Sequence, residues 1–189
     1  MPELGIGLPK GWKDLTSAVA SAKLPPATSP TWTDFGPTNT PQFQQLVFAV
    51  NDYVTMEAFH VNHDIVPVNC QAFIHVHWST DGTDTGNVKW ELSITRALGH
   101  QQAAFGDVTK IEIEAPHMGV QWGHNVSETL TPIILTEPDE LVIVMLRRVA
   151  ASSDENTDAV YGLTVDFHYQ SDRSDTPFRS PGFYTEGTT

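Results

Sequence analysis

The stretch AFIHVHWSTDGTDTGNVKWEL, residues 72–92, decides the fold. Apolar and polar side chains alternate through residues 72–78 and again through residues 88–94, as they do in half-buried strands. The connection between these two runs, STDGTDTG, contains Asp-Gly and Thr-Gly pairs, which favour tight turns. The stretch therefore predicts a strand, a polar turn and a second strand.

Similar alternating runs recur along the chain, separated by clusters of Gly, Asp, Asn, Ser or Pro. The predicted strands cover residues 45–53, 69–78, 87–96, 110–115, 129–135, 140–149 and 160–169. Short strands of this number and spacing predict an all-β protein, an antiparallel jelly-roll β-sandwich with an extended proline-rich N-terminal arm.

The composition of the chain changes along its length and divides it into three parts. Residues 1–42 form the predicted arm, residues 43–172 the jelly-roll β-sandwich and residues 173–189 an irregular C-terminal tail. The density of proline in the arm argues against a long helix or a central strand, and only residues 12–23 could form a short helix.

The arm also contains large apolar side chains that a free linker would not need. Trp12, Leu15, Trp32 and Phe35 are therefore predicted to be partner-binding anchors, because buried aromatic and aliphatic anchors dominate interface energies. The sequence leaves open whether they pack on their own domain or on a neighbouring subunit.

The charge and the cysteine content exclude several classes of function. Lys and Arg number 10 and Asp and Glu 23, which gives a net charge of −13 and no basic patch, so nucleic-acid binding is not expected. The single cysteine, Cys70, permits no internal disulfide and is predicted to be a small buried residue. The N-terminal residues lack the pattern of a signal peptide and no apolar run is long enough to cross a bilayer, so we expect a cytosolic product and no membrane partner.

Several charged and polar side chains share strand faces opposite the apolar ones. His75 and His77 lie on one face of their predicted strand, Glu91 on that of the next strand, and Asp166 and His168 on that of the last strand. We predict that these five residues form a polar sheet face or a subunit interface. Cross-strand pairs of this kind stabilise a sheet by a few tenths to about 1 kcal/mol each.

A catalytic interpretation of the same histidines is the alternative. A His-x-His pair on a strand opens the metal site of cupin jelly rolls, and Asp166 and His168 could complete such a site if their strand is a neighbour. A cupin-like metal-dependent enzyme would use His75, His77 and His168. The chain has Asp81 where cupins have glutamate, and no Pro-x-Gly-x-x-His follows. It also lacks a Gly-x-Ser-x-Gly elbow and glycine-rich phosphate motifs. The prediction is therefore no enzyme, no catalytic residue, no metal and no cofactor, with a Glu91–Asp166 glycosidase pair as a further alternative.

Two segments resemble a family of structural proteins of tailed bacteriophages. FIHVHWSTDGTDTGNVKWEL resembles the first motif, a His-x-His-Trp strand followed by a polar turn and a Val-x-Trp strand, and YGLTVDFHYQSD resembles the second, which ends in Asp-x-His-Tyr-Gln. The matching residues are His75, His77, Trp78, Val88, Trp90, Asp166, His168 and Tyr169. The resemblance covers residues 42–172; the arm does not match, and DRSDTPFRSPGFYT replaces the usual glycine-serine ending.

This resemblance implies a virion structural protein on the virion exterior, assembled in the host cytoplasm. The leading expectation is a capsid decoration (cement) protein that stabilises the shell because it binds only the assembled form. The alternative is a tail or neck appendage, such as a fibre module that contacts the host. The implied partners are the major capsid protein or other virion proteins and further copies of the chain, as a dimer or trimer.

Two experimental expectations follow from these interpretations. Deletion of residues 1–41 should abolish particle binding while the sandwich still folds. Assembly or stability should weaken below about pH 6, because protonation of a face that contains several histidines introduces charge repulsion.

Overall fold

The computed structural model describes residues 11–37, 43–65, 70–99 and 101–171, which form two antiparallel β-sheets. In chain order the strands are β1 (Gly11–Ala18), β2 (Thr31–Phe35), β3 (Phe43–Phe48), β4 (Tyr53–Thr55), β5 (Phe59–His60), β6 (Cys70–Thr80), β7 (Asn87–Leu98), β8 (Thr109–Pro116), β9 (Asn125–Glu128), β10 (Ile133–Leu135), β11 (Glu140–Val149) and β12 (Val160–Ser171). The predicted all-β sandwich of jelly-roll type is confirmed. Within the described ranges, no helix has the length and apolar character needed to span a membrane.

The larger sheet has seven strands and is built around the long pair β6 and β12. One edge of β12 pairs with β6, and its other edge pairs first with β3 and then with β1. Strand β2 continues the sheet beyond β3, while β9 and β10 share the free edge of β6. The smaller sheet contains β4, β5, β7, β8 and β11, with β7 and β11 at its centre.

The core lies between the two sheets and is formed by the apolar faces that alternation predicts. Ala72, Ile74, Val76 and Trp78 of β6 are fully buried, and so are the alternate residues of β7 from Val88 to Leu92. The side chain of Phe48 packs edge-to-face on Trp90 with ring centroids 5.3 Å apart. Each fully buried large apolar side chain contributes about 1.5–3 kcal/mol relative to exposure, so these strands anchor the fold.

The described part of the predicted arm packs on its own sandwich, which is one of the two alternatives that the sequence leaves open. Strand β1 pairs with β12 along its whole length, β2 pairs with β3, and Val19 between them is fully buried. Residues 12–23, where the sequence allowed a short helix, instead form most of β1 and the 3-10 turn Val19–Ser21. The prolines at positions 25, 26 and 30 lie between β1 and β2, so they interrupt neither strand.

This arrangement changes the expected result of the deletion of residues 1–41. The deletion would remove β1 and β2, take Val19 from the core and uncover one edge of β12. The sandwich is therefore not expected to fold without this segment. Residues 1–10 and 38–42 of the arm, and the tail predicted at 173–189, lie outside the described residues.

Two strand predictions differ from the structure for identifiable reasons. The run at residues 129–135 is a strand only from Ile133 onward, and β9 immediately before it was not predicted. In β12 the pairing register shifts between Gly162 and Thr164, which marks a β-bulge. Because a bulge reverses the alternation, Tyr161 points away from the core instead of sharing a face with Val165.

Candidate functional site

The outer surface of the seven-stranded sheet carries a cluster that we call the histidine face. It is defined by Trp12, Asp14, His75, His77, His124, Glu128, Asp166 and His168. Strands β1, β12, β6 and β9 are consecutive neighbours, and directly paired residues share a face of a sheet. One row runs across all four strands through Thr16, Asp166, His75 and Glu128. Segments that are far apart in the sequence therefore form one continuous surface.

Three stacked rings form one half of the histidine face. The indole of Trp12 stacks on His168 with centroids 5.0 Å apart, and His168 stacks on His75 at 5.1 Å. The carboxylate of Asp14 contacts Nδ1 of His168, and Oε2 of Glu128 lies 3.4 Å from Nε2 of His75. The stack holds the rings of His168 and His75 nearly parallel and places a carboxylate beside each.

His77 lies at the centre of the other half of the face. Its ring stacks on His124 at 4.9 Å, with Nδ1 of His77 only 2.7 Å from Nε2 of His124. Its Nε2 lies 2.9 Å from Oδ2 of Asp166. Burial lowers the pKa of His77, and the nearby His124 and His75 lower it further, although Asp166 opposes the shift. The neutral ring is therefore favoured at neutral pH.

The structure brings together four of the five residues predicted for the polar face: His75, His77, Asp166 and His168. Glu91 is the exception and is a correction, because it belongs to β7 in the smaller sheet. There its carboxylate accepts hydrogen bonds of 3.1 Å from Nζ of Lys110, and its Oε1 lies 3.9 Å from Nη1 of Arg147. Alternation along β7 places Glu91 on an outward face correctly, but it does not show that this face belongs to the opposite side of the sandwich.

The predicted partner anchors are in different environments. Trp12 and Trp32 are 45% and 44% exposed, whereas Leu15 packs against the protein's own core. Phe35 packs edge-on against Trp122 and Tyr161, with centroids 5.2 Å away in both cases. Leu15 is thus partly buried against its own core, and Phe35 is already in contact with its own domain. Only Trp12 belongs to the histidine face.

Sequence reasoning did not identify Asp14, His124 and Glu128 as members of the site. His124 follows a loop with no period, so no strand pattern indicated where its side chain would point. Glu128 lies in β9, a strand that was not predicted, and Asp14 lies in a segment interpreted as an arm. The alternation of Trp12 and Asp14 within β1 was the one signal that could have placed Asp14 on an outward face.

Away from the histidine face, the carboxylate of Asp84 links the turn at residues 81–86 to the loop before β12. Asp84 accepts hydrogen bonds from the backbone and hydroxyl of Thr157, at 2.8 and 2.6 Å, and from the backbone of Gly86 at 2.9 Å. These bonds to the charged form, with those from Thr157 the largest, lower the pKa of Asp84 to about 2. Asp84 is thus an ionised residue that fastens two loops together.

A cleft of about 970 Å³ lies at one end of the smaller sheet, between β7, β8 and the segment around β10. Apolar side chains such as Ile94, Ile111 and Ile133 line it. The cations of its lining are paired with carboxylates, because Arg96 lies 2.9 Å from Glu140 and Lys110 is bonded to Glu91. The volume of the cleft suits a small ligand, but its Arg96 and Lys110 side chains are already neutralised by carboxylates and are not available to bind a charged one.

Comparisons with known proteins find no matching family model and no matching curated protein. Among solved structures, the chain is similar to the CBM36-1 domain of a multidomain xylanase from the hindgut metagenome of Trinervitermes trinervoides, with 10% identity over 82% of this chain and 96% of that domain and a TM-score of 0.42. It is also similar to a beta-1,3-glucan binding CBM6 from Bacillus halodurans, with 12% identity over 84% of this chain and 95% of the other and a TM-score of 0.43. A chain of the infectious bursal disease virus Gx strain matches with 8% identity over 89% of this chain and 33% of that chain, at a TM-score of 0.41. These similarities concern the β-sandwich alone.

Proposed function

We propose that the protein is a bacteriophage virion structural protein, without enzymatic activity, that decorates the outside of the capsid through its histidine face. One observation carries the proposal: the two segments that resemble the phage family occupy adjacent strands. In the pairing of β6 with β12, His75 lies opposite Asp166 and Phe73 opposite His168. Residues of both motifs therefore belong to one surface.

The composition of this surface suits protein binding. Trp12 is nearly half exposed, yet its ring is held by stacking on His168 and by packing against Phe73, with the centroids of the Trp12 and Phe73 rings 5.8 Å apart. An aromatic side chain that is already ordered loses little conformational entropy when it binds, and such residues are typical interface hot spots. Val126, beside His77, adds an exposed apolar group. The net charge of −13 favours a partner surface with positive charge.

The copy number of the protein in purified particles tests the proposal and distinguishes it from a neck or tail appendage. It is measured by quantitative mass spectrometry of virions, with the major capsid protein as the internal reference. A copy number comparable to that of the major capsid protein supports decoration. A number smaller by more than an order of magnitude would support the appendage instead, and absence from the particle would refute both.

The binding surface is tested with two matched tryptophan substitutions. In a pull-down of purified protein with undecorated shells, Trp12→Ala should weaken binding at least about tenfold, since a hot-spot residue contributes about 2 kcal/mol or more. Trp32→Ala is the control, because Trp32 is equally exposed but does not belong to the histidine face. Its side chain and that of Phe35 lie on opposite sides of β2. Unchanged binding by Trp12→Ala, or a loss confined to Trp32→Ala, would show that the histidine face is not the binding surface.

A further inference from the structure

We infer that His75, His77 and Asp166 bind a divalent transition-metal ion, for which Zn²⁺ is the best match. A ligand atom from each of the three side chains lies within 4.8 Å of the other two. Metal–ligand distances of about 2.0–2.2 Å place the ligands of one ion roughly 3 Å apart. Nε2 of His77 and Oδ2 of Asp166, separated by 2.9 Å, already have this spacing. The ligand nitrogen of His75 lies within 4.8 Å of both and would move closer to them when an ion binds.

Unsatisfied atoms at the same place are the second observation. Nε2 of His77 and Oδ1 of Asp166 are buried, and neither has a hydrogen-bond partner among the described residues. The approach of His77 to Asp166 is close but is not aligned as a hydrogen bond. Buried polar atoms without partners are costly, and a cation bound between an imidazole lone pair and a carboxylate would satisfy both.

His124 has the geometry of a supporting group for a ligating histidine. In metal sites the second ring nitrogen of a ligating histidine is usually hydrogen-bonded, which fixes the tautomer and the ring orientation. Nδ1 of His77, 2.7 Å from Nε2 of His124, is positioned to donate such a bond and to leave Nε2 free to coordinate.

The ligand set selects the class of ion. Two imidazoles and one carboxylate suit Zn²⁺ and neighbouring transition metals, whereas Ca²⁺ and Mg²⁺ prefer sites made wholly of oxygen. His168, which the cupin-like alternative would use, is instead stacked on Trp12 and bound to Asp14. The three ligand side chains are 14–19% exposed, so the ion would retain an open position toward the outer surface. A water molecule or a partner's side chain could occupy that position.

The test is metal binding by the full chain, produced without a histidine tag and freed of metal with a chelator. Zn²⁺ titration by calorimetry should give one equivalent, and the melting temperature should rise with Zn²⁺ concentration because the ion binds the folded form. Co²⁺ loaded in place of Zn²⁺ should show the visible absorption bands of a nitrogen- and oxygen-coordinated ion. Asp166→Asn and His75→Gln should each lower the affinity at least tenfold.

The controls separate this site from weak binding to exposed histidines. His60→Gln removes an exposed histidine beside Asp139 in the smaller sheet and should leave Zn²⁺ affinity unchanged. The absence of a one-to-one complex, or affinity unchanged in both Asp166→Asn and His75→Gln, would overturn the inference. Melting curves of the metal-free variants confirm that they fold. The result does not depend on the particle copy number, so the metal site and the virion role can fail separately.

Discussion

The buried carboxylate of Asp64 fastens β1 to the sandwich, and its removal provides a quantitative test of how the N-terminal segment is held. Asp64 is 1% exposed. It accepts hydrogen bonds from the hydroxyls of Tyr169 at 2.8 Å and Ser171 at 3.0 Å, both in β12, and forms an ion pair with Lys13 of β1. Asp64→Asn keeps the shape of the side chain but replaces one acceptor oxygen with a donor and removes the charge.

The expected loss of stability is about 3 kcal/mol at pH 7. Breaking a buried ion pair by removal of one partner costs about 3–5 kcal/mol, and each hydrogen bond to a charged group contributes about 1.5–3 kcal/mol. The lower end applies, because the side chain of Lys13 is 26% exposed and its ammonium group can be hydrated in the variant. One hydroxyl can still donate to the remaining amide oxygen of the asparagine.

The pH dependence gives an independent check of the same contact. Burial alone would raise the pKa of Asp64, but the bonds from Lys13, Tyr169 and Ser171 outweigh burial and lower it below 3.8. A carboxyl whose folded pKa is lowered stabilises the protein above its unfolded pKa, and this contribution is lost as the pH falls through the folded value. The difference between wild type and Asp64→Asn should therefore shrink below about pH 4.

Urea unfolding at pH 7, 5 and 3 measures both effects, with the exposed Asp154→Asn as the matched control. The control should unfold like the wild type at each pH. A difference of less than about 1 kcal/mol between wild type and Asp64→Asn at pH 7 would show that Asp64 does not hold β1 in place. A difference that stays constant from pH 7 to pH 3 would refute the assignment of the lowered pKa.

Two further changes test the core and the histidine face. Gly162→Ala should destabilise the protein by about 1–3 kcal/mol, because its Cβ would lie 2.9 Å from Cε2 of Phe48 and 3.2 Å from Cγ1 of Val19 in the packed core; an unchanged urea midpoint would contradict this. In the metal-free protein, stability should decline as the pH falls below about 6.5, since the unfolded chain takes up a proton that the folded His77, with its lowered pKa, does not. His77→Gln should remove this part of the decline, and a flat melting profile of the wild type between pH 5 and 8 would contradict the explanation.

The alternation within individual strands could be predicted because it is a local property. Backbone geometry alone places Ile74 and Val76 on one face of β6 and His75 and His77 on the other, whatever the strand pairs with. The same reasoning placed Asp166 and His168 on an outward face of β12. It failed at Tyr161, because the bulge near Gly162 depends on pairing with β6, which the sequence of β12 does not reveal.

The histidine face itself could be predicted only in part. The sequence of a loop has no repeating pattern of apolar residues, so the position of His124 beside His77 could not be predicted. The short strand that carries Glu128 could not be predicted either. The segment that carries Trp12 and Asp14 contains enough prolines to suggest an arm, yet those at positions 25, 26 and 30 fall between β1 and β2. Which residues meet at the site thus depends on contacts between distant segments.

The sequence by itself determined that the protein is a β-sandwich, that Trp78 and Trp90 lie in its core, and that His75, His77 and His168 lie on outward strand faces, because each of these follows from the two-residue period of a strand. Only the tertiary structure decided that Glu91 belongs to the opposite sheet and that Trp12 stacks over His168. It also decided that His75, His77 and Asp166 converge on one point. Strand order and register are set by long-range hydrogen bonds and by the burial of whole faces, and the sequence of one strand does not specify its neighbour.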